Sequence, residues 1–171
     1  KFYRNGDSIP QVTDPTAWAS LTTGAWCWYN NDSATYAQTY GKLYNWYAVN
    51  DPRGLAPAGY HVPSDAEWAT LTSFLGGYGV AGGKLKETGT VHWAAPNTGA
   101  TNSSGFIGLP GGAREHTDGT FNNYIVVGYW WSSTYFDSFN AWYHDMYYAG
   151  AEVYRFSISK RHGLSVRCLK D

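Results

Sequence analysis

The two cysteines are the residues best able to do covalent chemistry, and their surroundings argue against it. Cys27 and Cys168 lie near opposite ends of the chain, in segments that we predict to be strand interiors. A buried thiol without a nearby activating base is inert. Neither cysteine belongs to a Cys-x-x-Cys pair or has a histidine at metal-ligand spacing, so a structural zinc site is disfavoured. The sequence leaves open whether the two form a disulfide across a very large loop or stay separate buried thiols, with a slight preference for the latter.

No other motif predicts catalysis. The chain has no Gly-x-Ser-x-Gly elbow, no phosphate-binding loop and no His-Glu-x-x-His pattern. Glu115 and the Asp118-Gly119 pair fit turn chemistry better than acid/base chemistry. The histidines are scattered, and each is predicted to be structural or a surface contact: His61, His92, His116, His144 and His162. We therefore predict that the protein is not an enzyme.

Residues suited to non-covalent recognition are abundant. Aromatic residues make up 18% of the chain, with nine Trp and fifteen Tyr, while charged residues make up 15%. Tyr and Trp supply large contact areas at a low side-chain entropy cost, although many of them also fill cores. The net charge of -1 argues against a nucleic-acid partner. No apolar run is long enough for direct membrane insertion.

Strand alternation separates a predicted core from a predicted ligand-contact surface in the last third of the chain. The candidate strands are Gly128–Ser133, Ala141–Tyr148, Glu152–Ser159 and Leu164–Leu169, and successive side chains on a strand point to opposite faces. The predicted core members are Trp131, Trp142, Val153 and Val166. The predicted ligand-contact residues are Trp130, Tyr135, Phe136, Asp137, Tyr143, Asp145, Tyr147, Tyr154, Phe156 and Arg161.

An exposed aromatic set with a few charges is typical of a recognition surface. Flat rings stack on the apolar faces of sugars, and Asp, Asn and Arg hydrogen-bond to sugar hydroxyls. We therefore expect a polysaccharide ligand first and a protein ligand second. In the alternative, the rings pack on a neighbouring domain or on copies of the chain. Residues 135–139, 144–145 and 147–151 are mostly types reached by randomising two bases of an Asn-type codon, as a hypervariable surface would be.

Two predicted helices must position this surface. The first begins at Asp32 or Ser33 and ends near Asn50-Asp51-Pro52, with Tyr36, Tyr40, Leu43 and Tyr47 as its apolar stripe. The second begins with the capping box of Ser64 and Glu67 and ends at Gly76-Gly77. Its inward stripe is Trp68, Leu71 and Leu75, with Phe74 beside them.

The remaining chain completes a single α+β domain. Residues 79–123 are rich in Gly, Thr, Asn and Ser and predict long irregular loops interrupted by short strands. Loops of this length usually carry function or bind a structural ion. An antiparallel sheet follows them. The predicted order is therefore two helices, long loops and a C-terminal antiparallel sheet within residues 1–171.

One further pattern consists of seven segments in order along the chain: residues 3–7, 24–32, 40–49, 59–68, 109–114, 129–134 and 163–168. Together these segments resemble the Fibrobacter succinogenes major paralogous domain, which is common in secreted bacterial proteins. The resemblance implies a C-type-lectin-like fold, related to the formylglycine-generating-enzyme superfamily and to retroelement-diversified variable proteins, and an extracellular or cell-surface location. Relatives that generate formylglycine need two active-site thiols, which this chain does not offer in a suitable setting.

The resemblance leaves two points undecided. Leu55-Ala56-Pro57 stands where many members have a Cys, so the pairing of Cys27 and Cys168 stays open. Calcium is the usual ion of lectin-like folds and takes oxygen ligands. Loop oxygens are available, but there is no dense acidic loop, so a structural calcium is compatible with the sequence without being required. The candidate oxygen ligands come from Asn30-Asn31-Asp32, Asn97, Asn102 and Asp118.

Overall fold

The largest element of the computed structural model, which describes residues 1–171, is a three-stranded antiparallel sheet near the C-terminus. Its strand order is β6-β7-β8, and three two-stranded antiparallel ribbons surround it: β1-β2, β3-β9 and β4-β5. The strands are β1 Trp26–Cys27, β2 Leu43–Tyr44, β3 Tyr60–His61, β4 Ala113–Arg114, β5 Phe121–Asn122, β6 Val127–Tyr135, β7 Asn140–Tyr147, β8 Tyr154–Ser159 and β9 Leu169–Lys170.

Five short α-helices complete the single α+β domain, and none of them is long and apolar enough to span a bilayer. A 3₁₀ turn covers Tyr29–Asn31. The helices are α1 Pro15–Ala19, α2 Ser33–Tyr40, α3 Trp46–Val49, α4 Asp65–Phe74 and α5 Tyr78–Leu85.

The predicted first helix is shorter than expected. Asp32 caps α2 by accepting hydrogen bonds from the backbone amides of Ala34 and Thr35, as predicted. The predicted continuation to Asn50 is wrong, because Gly41 has φ of 68° and ends the helix. Leu43 and Tyr44 then pair with β1. A separate short helix, α3, restarts behind a cap formed by Asn45.

Helix α4 confirms the predicted capping box. The Ser64 amide donates to Glu67 Oε2 at 2.8 Å, and the Glu67 amide donates to Ser64 Oγ at 3.3 Å. Trp68 and Leu75 are buried in the core. The prediction that Phe74 lies beside this inward stripe is wrong, because Phe74 is 85% exposed. The helix ends at Gly76 and Gly77, both with positive φ, as predicted.

Replacing the cap residue should destabilise the fold modestly. We expect Ser64→Ala to lower the free energy of unfolding by about 1 kcal/mol, because the Glu67 amide loses its acceptor. Urea denaturation measures this change. Ser73→Ala, on the exposed face of the same helix, is the matched control and should leave the midpoint nearly unchanged. Equal midpoints for the two variants would contradict the role of the cap.

Helix α5 lies almost entirely where the sequence predicted irregular structure, so that prediction is wrong for residues 79–85. A Cβ on Gly82 would lie 2.0 Å from the carbonyl oxygen of Glu152, and one on Gly83 would lie 2.3 Å from that of Gly99. These glycines are therefore needed for close packing of the helix against neighbouring backbone. The same glycines give the segment a composition typical of a loop, which is why the sequence did not predict this helix.

Two buried cations hold the loops in place. The Lys86 ammonium is fully buried and donates to the carbonyl oxygens of Thr98, Tyr147 and Gly150 at 3.0, 3.1 and 2.7 Å. Burial lowers the pKa of Lys86 to about 8. The fully buried Arg114 guanidinium donates to the carbonyl oxygens of Val12, Thr13 and Gly119. Each cation therefore satisfies several carbonyls, as a bound metal ion could.

The main sheet is packed on both faces. One face contributes Trp131 and Ala141 to a core that also contains Trp46 and Leu164. The opposite face contributes Trp130 and Met146 to a second core around Trp68. Strand β7 lies between these two cores. Four consecutive residues of the strand, Tyr143 to Met146, are therefore buried.

Three of the four predicted C-terminal strands are present and antiparallel, as predicted. The fourth, Leu164–Leu169, is wrong as a continuous strand. Leu164 forms an isolated bridge to Tyr44, Ser165 forms one to Trp130, and only the end of the segment, in β9, pairs with β3. The segment crosses from one sheet to another, so its backbone partners change along its length.

The predicted core set is partly correct. Trp131 and Val153 are buried, and Val166 is half-buried against the first core. Trp142 is not a core residue. Trp131 pairs with Tyr143 in the register, so Trp142 lies on the opposite face. There the Arg155 guanidinium covers its ring at 3.4 Å.

Candidate functional site

One end of the main sheet carries a partly exposed group of aromatic rings around a single acid. This group lies on the same face of the sheet as Trp131 and Ala141, next to the part that packs into the core. In the register, Asp145 pairs with Tyr129 on one neighbouring strand and with Tyr154 on the other. Tyr143 pairs with Phe156 on the same face. We name this surface the Tyr–Asp face, which consists of Tyr129, Tyr143, Asp145, Tyr147, Tyr154 and Phe156.

Four rings of the Tyr–Asp face, those of Tyr129, Tyr143, Phe156 and Tyr154, form a continuous series of contacts. Those of Tyr154 and Phe156 are nearly parallel, with 6.2 Å between centroids and 9° between planes. Tyr143 lies 5.9 Å from Tyr129 and 6.3 Å from Phe156, centroid to centroid. Tyr147, Tyr154 and Phe156 are exposed, the last by 53%. The exposed rings of this face therefore lie next to its buried residues, Tyr143 and Asp145.

Asp145 is the unusual residue of this face. Asp145 is only 8% exposed. Burial raises the pKa of its carboxyl group to about 7, and no neighbouring charge opposes this shift. Buried carboxylates are ordinarily paired or hydrogen-bonded, because removing an unpaired charge from water is costly. A carboxyl group with such a pKa can donate or accept a hydrogen bond near neutral pH. Perturbed acids of this kind concentrate at functional sites.

The structure places the predicted contact residues in four locations. Tyr143, Asp145, Tyr147, Tyr154 and Phe156 belong to the Tyr–Asp face, but the predicted exposure of Tyr143 and Asp145 is wrong, since β7 is the central strand. Whether any of these residues contacts a ligand stays a prediction. Tyr129 was missed, although the alternation that places Trp131 inward also puts Tyr129 on this face.

Trp130 is misplaced in the predicted set. It is buried on the opposite face of the sheet, where its ring lies 5.6 Å from that of Phe106 and 6.4 Å from that of Trp68. Arg161 also lies apart from the Tyr–Asp face, because its guanidinium donates to the carbonyl oxygen of Ala19 at 2.6 Å. Both side chains therefore have structural partners.

The remaining predicted residues form the tip of the β6–β7 hairpin. Tyr135 and Phe136 are exposed there, together with Phe139, which is 77% exposed and was not in the predicted set. Asp137 builds the turn itself, since its Oδ1 accepts from the backbone amides of Phe139 and Asn140 at 2.7 Å each. We name this second surface, consisting of Tyr135, Phe136 and Phe139, the hairpin tip.

The thiols and the loop oxygens have structural roles. Cys27 and Cys168 are free and do not pair. Burial raises the pKa of Cys27 to about 11 and also raises that of Cys168, which disfavours the reactive thiolates. Of the candidate calcium ligands, Asp118 accepts hydrogen bonds from Thr120, and Asn97 donates to the carbonyl of Glu87.

One group of residues that the sequence left scattered comes together in space. Glu115, His116 and His162 each offer a ligand atom, and these atoms all lie within 4.8 Å of one another. His144, by contrast, stacks on Trp68 at 4.9 Å and lies 3.3 Å from Asp65. Only the pairing of distant backbone segments creates the first group, so residue spacing carried no signal for it.

Comparison with known proteins identifies the family without adding a characterised relative. No curated protein and no solved structure matches the chain. The C-type-lectin-like fold therefore stays a prediction from the resemblance. The family model of the Fibrobacter succinogenes major domain matches residues 1–170, so the chain belongs to that family.

Proposed function

We propose that the protein is an extracellular ligand-recognition or adhesion module that binds glycan through the Tyr–Asp face. The observation that carries this proposal is Asp145, a buried carboxyl group without a charged partner, framed by partly exposed rings. A ligand that supplies hydroxyl or ammonium hydrogen-bond donors would give this group the partner that the protein does not provide.

The rings suit the rest of such a ligand. Tyr147, Tyr154 and Phe156 can pack on the apolar faces of sugar rings, and tyrosine hydroxyls can hydrogen-bond at the margin. Ordered β-strands hold these side chains, which limits the entropy lost on binding. We propose binding without catalysis, because Cys27 and Cys168 lie outside the face and their raised pKa values disfavour thiolate chemistry.

A second candidate is self-assembly or protein contact through the hairpin tip. Its support is the exposure of three aromatic rings at this tip together with the position of β8 at the edge of the sheet. Exposed apolar residues and open sheet edges are common sites of protein association. Sedimentation analysis of the wild type and of Phe139→Ser would separate this candidate, which requires concentration-dependent oligomers that the substitution weakens.

Affinity electrophoresis tests the glycan proposal. The protein should be retarded in gels containing at least one of a panel of neutral, amino-bearing and acidic polysaccharides. We expect the Tyr154→Ala/Phe156→Ala double variant to bind at least about tenfold more weakly, because removal of central rings costs more than about 1.4 kcal/mol. Phe74→Ala, which removes an exposed ring from α4, is the matched control and should bind like the wild type.

Two results would contradict the proposal. Absence of retardation by every polysaccharide would argue against glycan recognition, and oligomers that depend on the hairpin tip would then favour assembly. Retardation that the double variant retains in full would place the glycan site elsewhere on the chain.

A further inference from the structure

A compact cluster of nitrogen and oxygen donors lies where β4 and the end of β8 approach each other. Glu115 and His116 follow β4, and His162 follows β8. The backbone fixes their approach, because Arg114 and Gly163 exchange two amide-to-carbonyl hydrogen bonds of 2.9 Å. One ligand atom from each of the three side chains lies within 4.8 Å of the other two.

Unpaired buried nitrogens indicate that the protein alone does not satisfy this cluster. His162 is 3% exposed, and its Nε2 lies 2.9 Å from Glu115 Oε2, while its Nδ1 is buried without a hydrogen-bond partner. His116 Nδ1 is also buried and unpaired, and the two imidazole rings are 4.5 Å apart. Leaving such groups unsatisfied is costly, and ordinary cores avoid it.

The donor set identifies the kind of ion that would fit. Two imidazoles and one carboxylate are characteristic ligands of zinc and other first-row transition metals, whereas calcium takes oxygen ligands only. Asn122 donates through Nδ2 to Glu115 Oε1, which orients the carboxylate in the way that outer-shell partners orient metal ligands. Glu115 Oε2 and His162 Nε2 lie 2.9 Å apart, so a hydrogen bond already brings two of the ligand atoms together.

We propose that Glu115, His116 and His162 form a binding site for a divalent transition-metal ion, with Zn²⁺ as the best match. Three protein ligands leave a coordination position open to water or to a ligand group. This inference does not depend on glycan recognition at the Tyr–Asp face, and neither result decides the other.

Isothermal titration of chelator-stripped, tag-free protein with Zn²⁺ tests the site. We expect saturable binding of one ion per chain, and with Co²⁺ we expect visible d–d absorption that reports ligation by the protein. His116→Asn should weaken Zn²⁺ binding by roughly a hundredfold or more. His92→Asn removes a histidine that pairs with Glu87 outside the cluster and should bind Zn²⁺ like the wild type.

The choice of variants keeps the test decisive. His116 is half-buried, so its replacement should preserve the fold, which circular dichroism can verify. Glu115→Gln supplies a second variant with the same expected loss. Absence of saturable Zn²⁺ binding, or equal affinity in wild type and folded His116→Asn, would overturn the proposal and leave the cluster as a Glu–His hydrogen bond with a stacked ring.

Discussion

Asp145→Asn should make the protein more stable above pH 7 and should weaken glycan binding at the same time, because an amide oxygen is a weaker acceptor than a carboxylate. The folded state holds this carboxyl in a buried position that raises its pKa from 3.8 to about 7. Each pKa unit corresponds to 1.36 kcal/mol, so ionised Asp145 costs the fold up to about 4 kcal/mol. The amide has similar size and carries no charge, so it avoids this cost.

The sign of the pH dependence follows from proton binding. Between pH 4 and pH 7 the folded state holds the proton on Asp145 while the unfolded state releases it, so this group lowers stability as the pH rises. The stability gained by Asp145→Asn should therefore grow from less than about 1 kcal/mol near pH 4 to its full value above pH 7. Urea denaturation of both proteins across this range measures the difference.

Asp65→Asn provides a contrasting carboxyl. Asp65 accepts two hydrogen bonds of 2.7 Å from the Arg155 guanidinium, and its pKa is lowered because this pairing outweighs its partial burial. We therefore expect Asp65→Asn to destabilise the fold at pH 7. An Asp145→Asn variant that is destabilised in the same way would show that its carboxylate has a stabilising partner, which would contradict the site described above.

Lys86→Met should destabilise the fold by about 3–5 kcal/mol. The substitution keeps an unbranched side chain of similar length, but it leaves the carbonyl oxygens of Thr98 and Gly150 without their donor. The carbonyl oxygen of Tyr147 keeps only the Gly150 amide, at 3.3 Å. Unsatisfied buried acceptors cost roughly 1–3 kcal/mol each, and removal of a buried charged partner costs about 3–5 kcal/mol. Thermal and urea unfolding both measure this loss.

Lys84→Met is the matched control for the buried lysine. The Lys84 ammonium donates to a single carbonyl, that of Leu75, and is only partly buried. We expect Lys84→Met to lower the free energy of unfolding by about 1 kcal/mol or less. Similar losses for the two variants would show that Lys86 does not organise the three loop carbonyls. Because Tyr147 belongs to the Tyr–Asp face and its carbonyl accepts from Lys86, Lys86→Met should also weaken ligand binding.

The sequence predicted correctly those elements that depend on residues close together in the chain, such as helix caps and strand alternation. The Ser64–Glu67 capping box and the double glycine after α4 were sufficient to place that helix. Strand alternation placed Tyr147, Tyr154 and Phe156 on one face. The stripe from Tyr36 to Tyr47 failed, because a continuous helical spacing gave no weight to Gly41, whose φ of 68° ends α2.

Features that depend on distant neighbours had no such signal. Gly82 and Gly83 indicated a loop by composition, yet they are helical because other backbone segments approach them closely. Alternation predicted Asp145 on the face opposite Trp131, but the register places both on the same face, and the central strand buries Asp145. His116 and His162 meet only because Arg114 pairs with Gly163. Long-range pairing therefore supplies most of the chemistry of both candidate sites.

Chemical-shift mapping by NMR tests the central proposal most directly. Isotope-labelled protein would be titrated with oligosaccharides from the polysaccharide that retards it most in affinity gels. Recognition at the Tyr–Asp face predicts that the largest shifts occur at Asp145, Tyr147, Tyr154 and Phe156. Shifts confined to the hairpin tip, or to residues outside both surfaces, would contradict it.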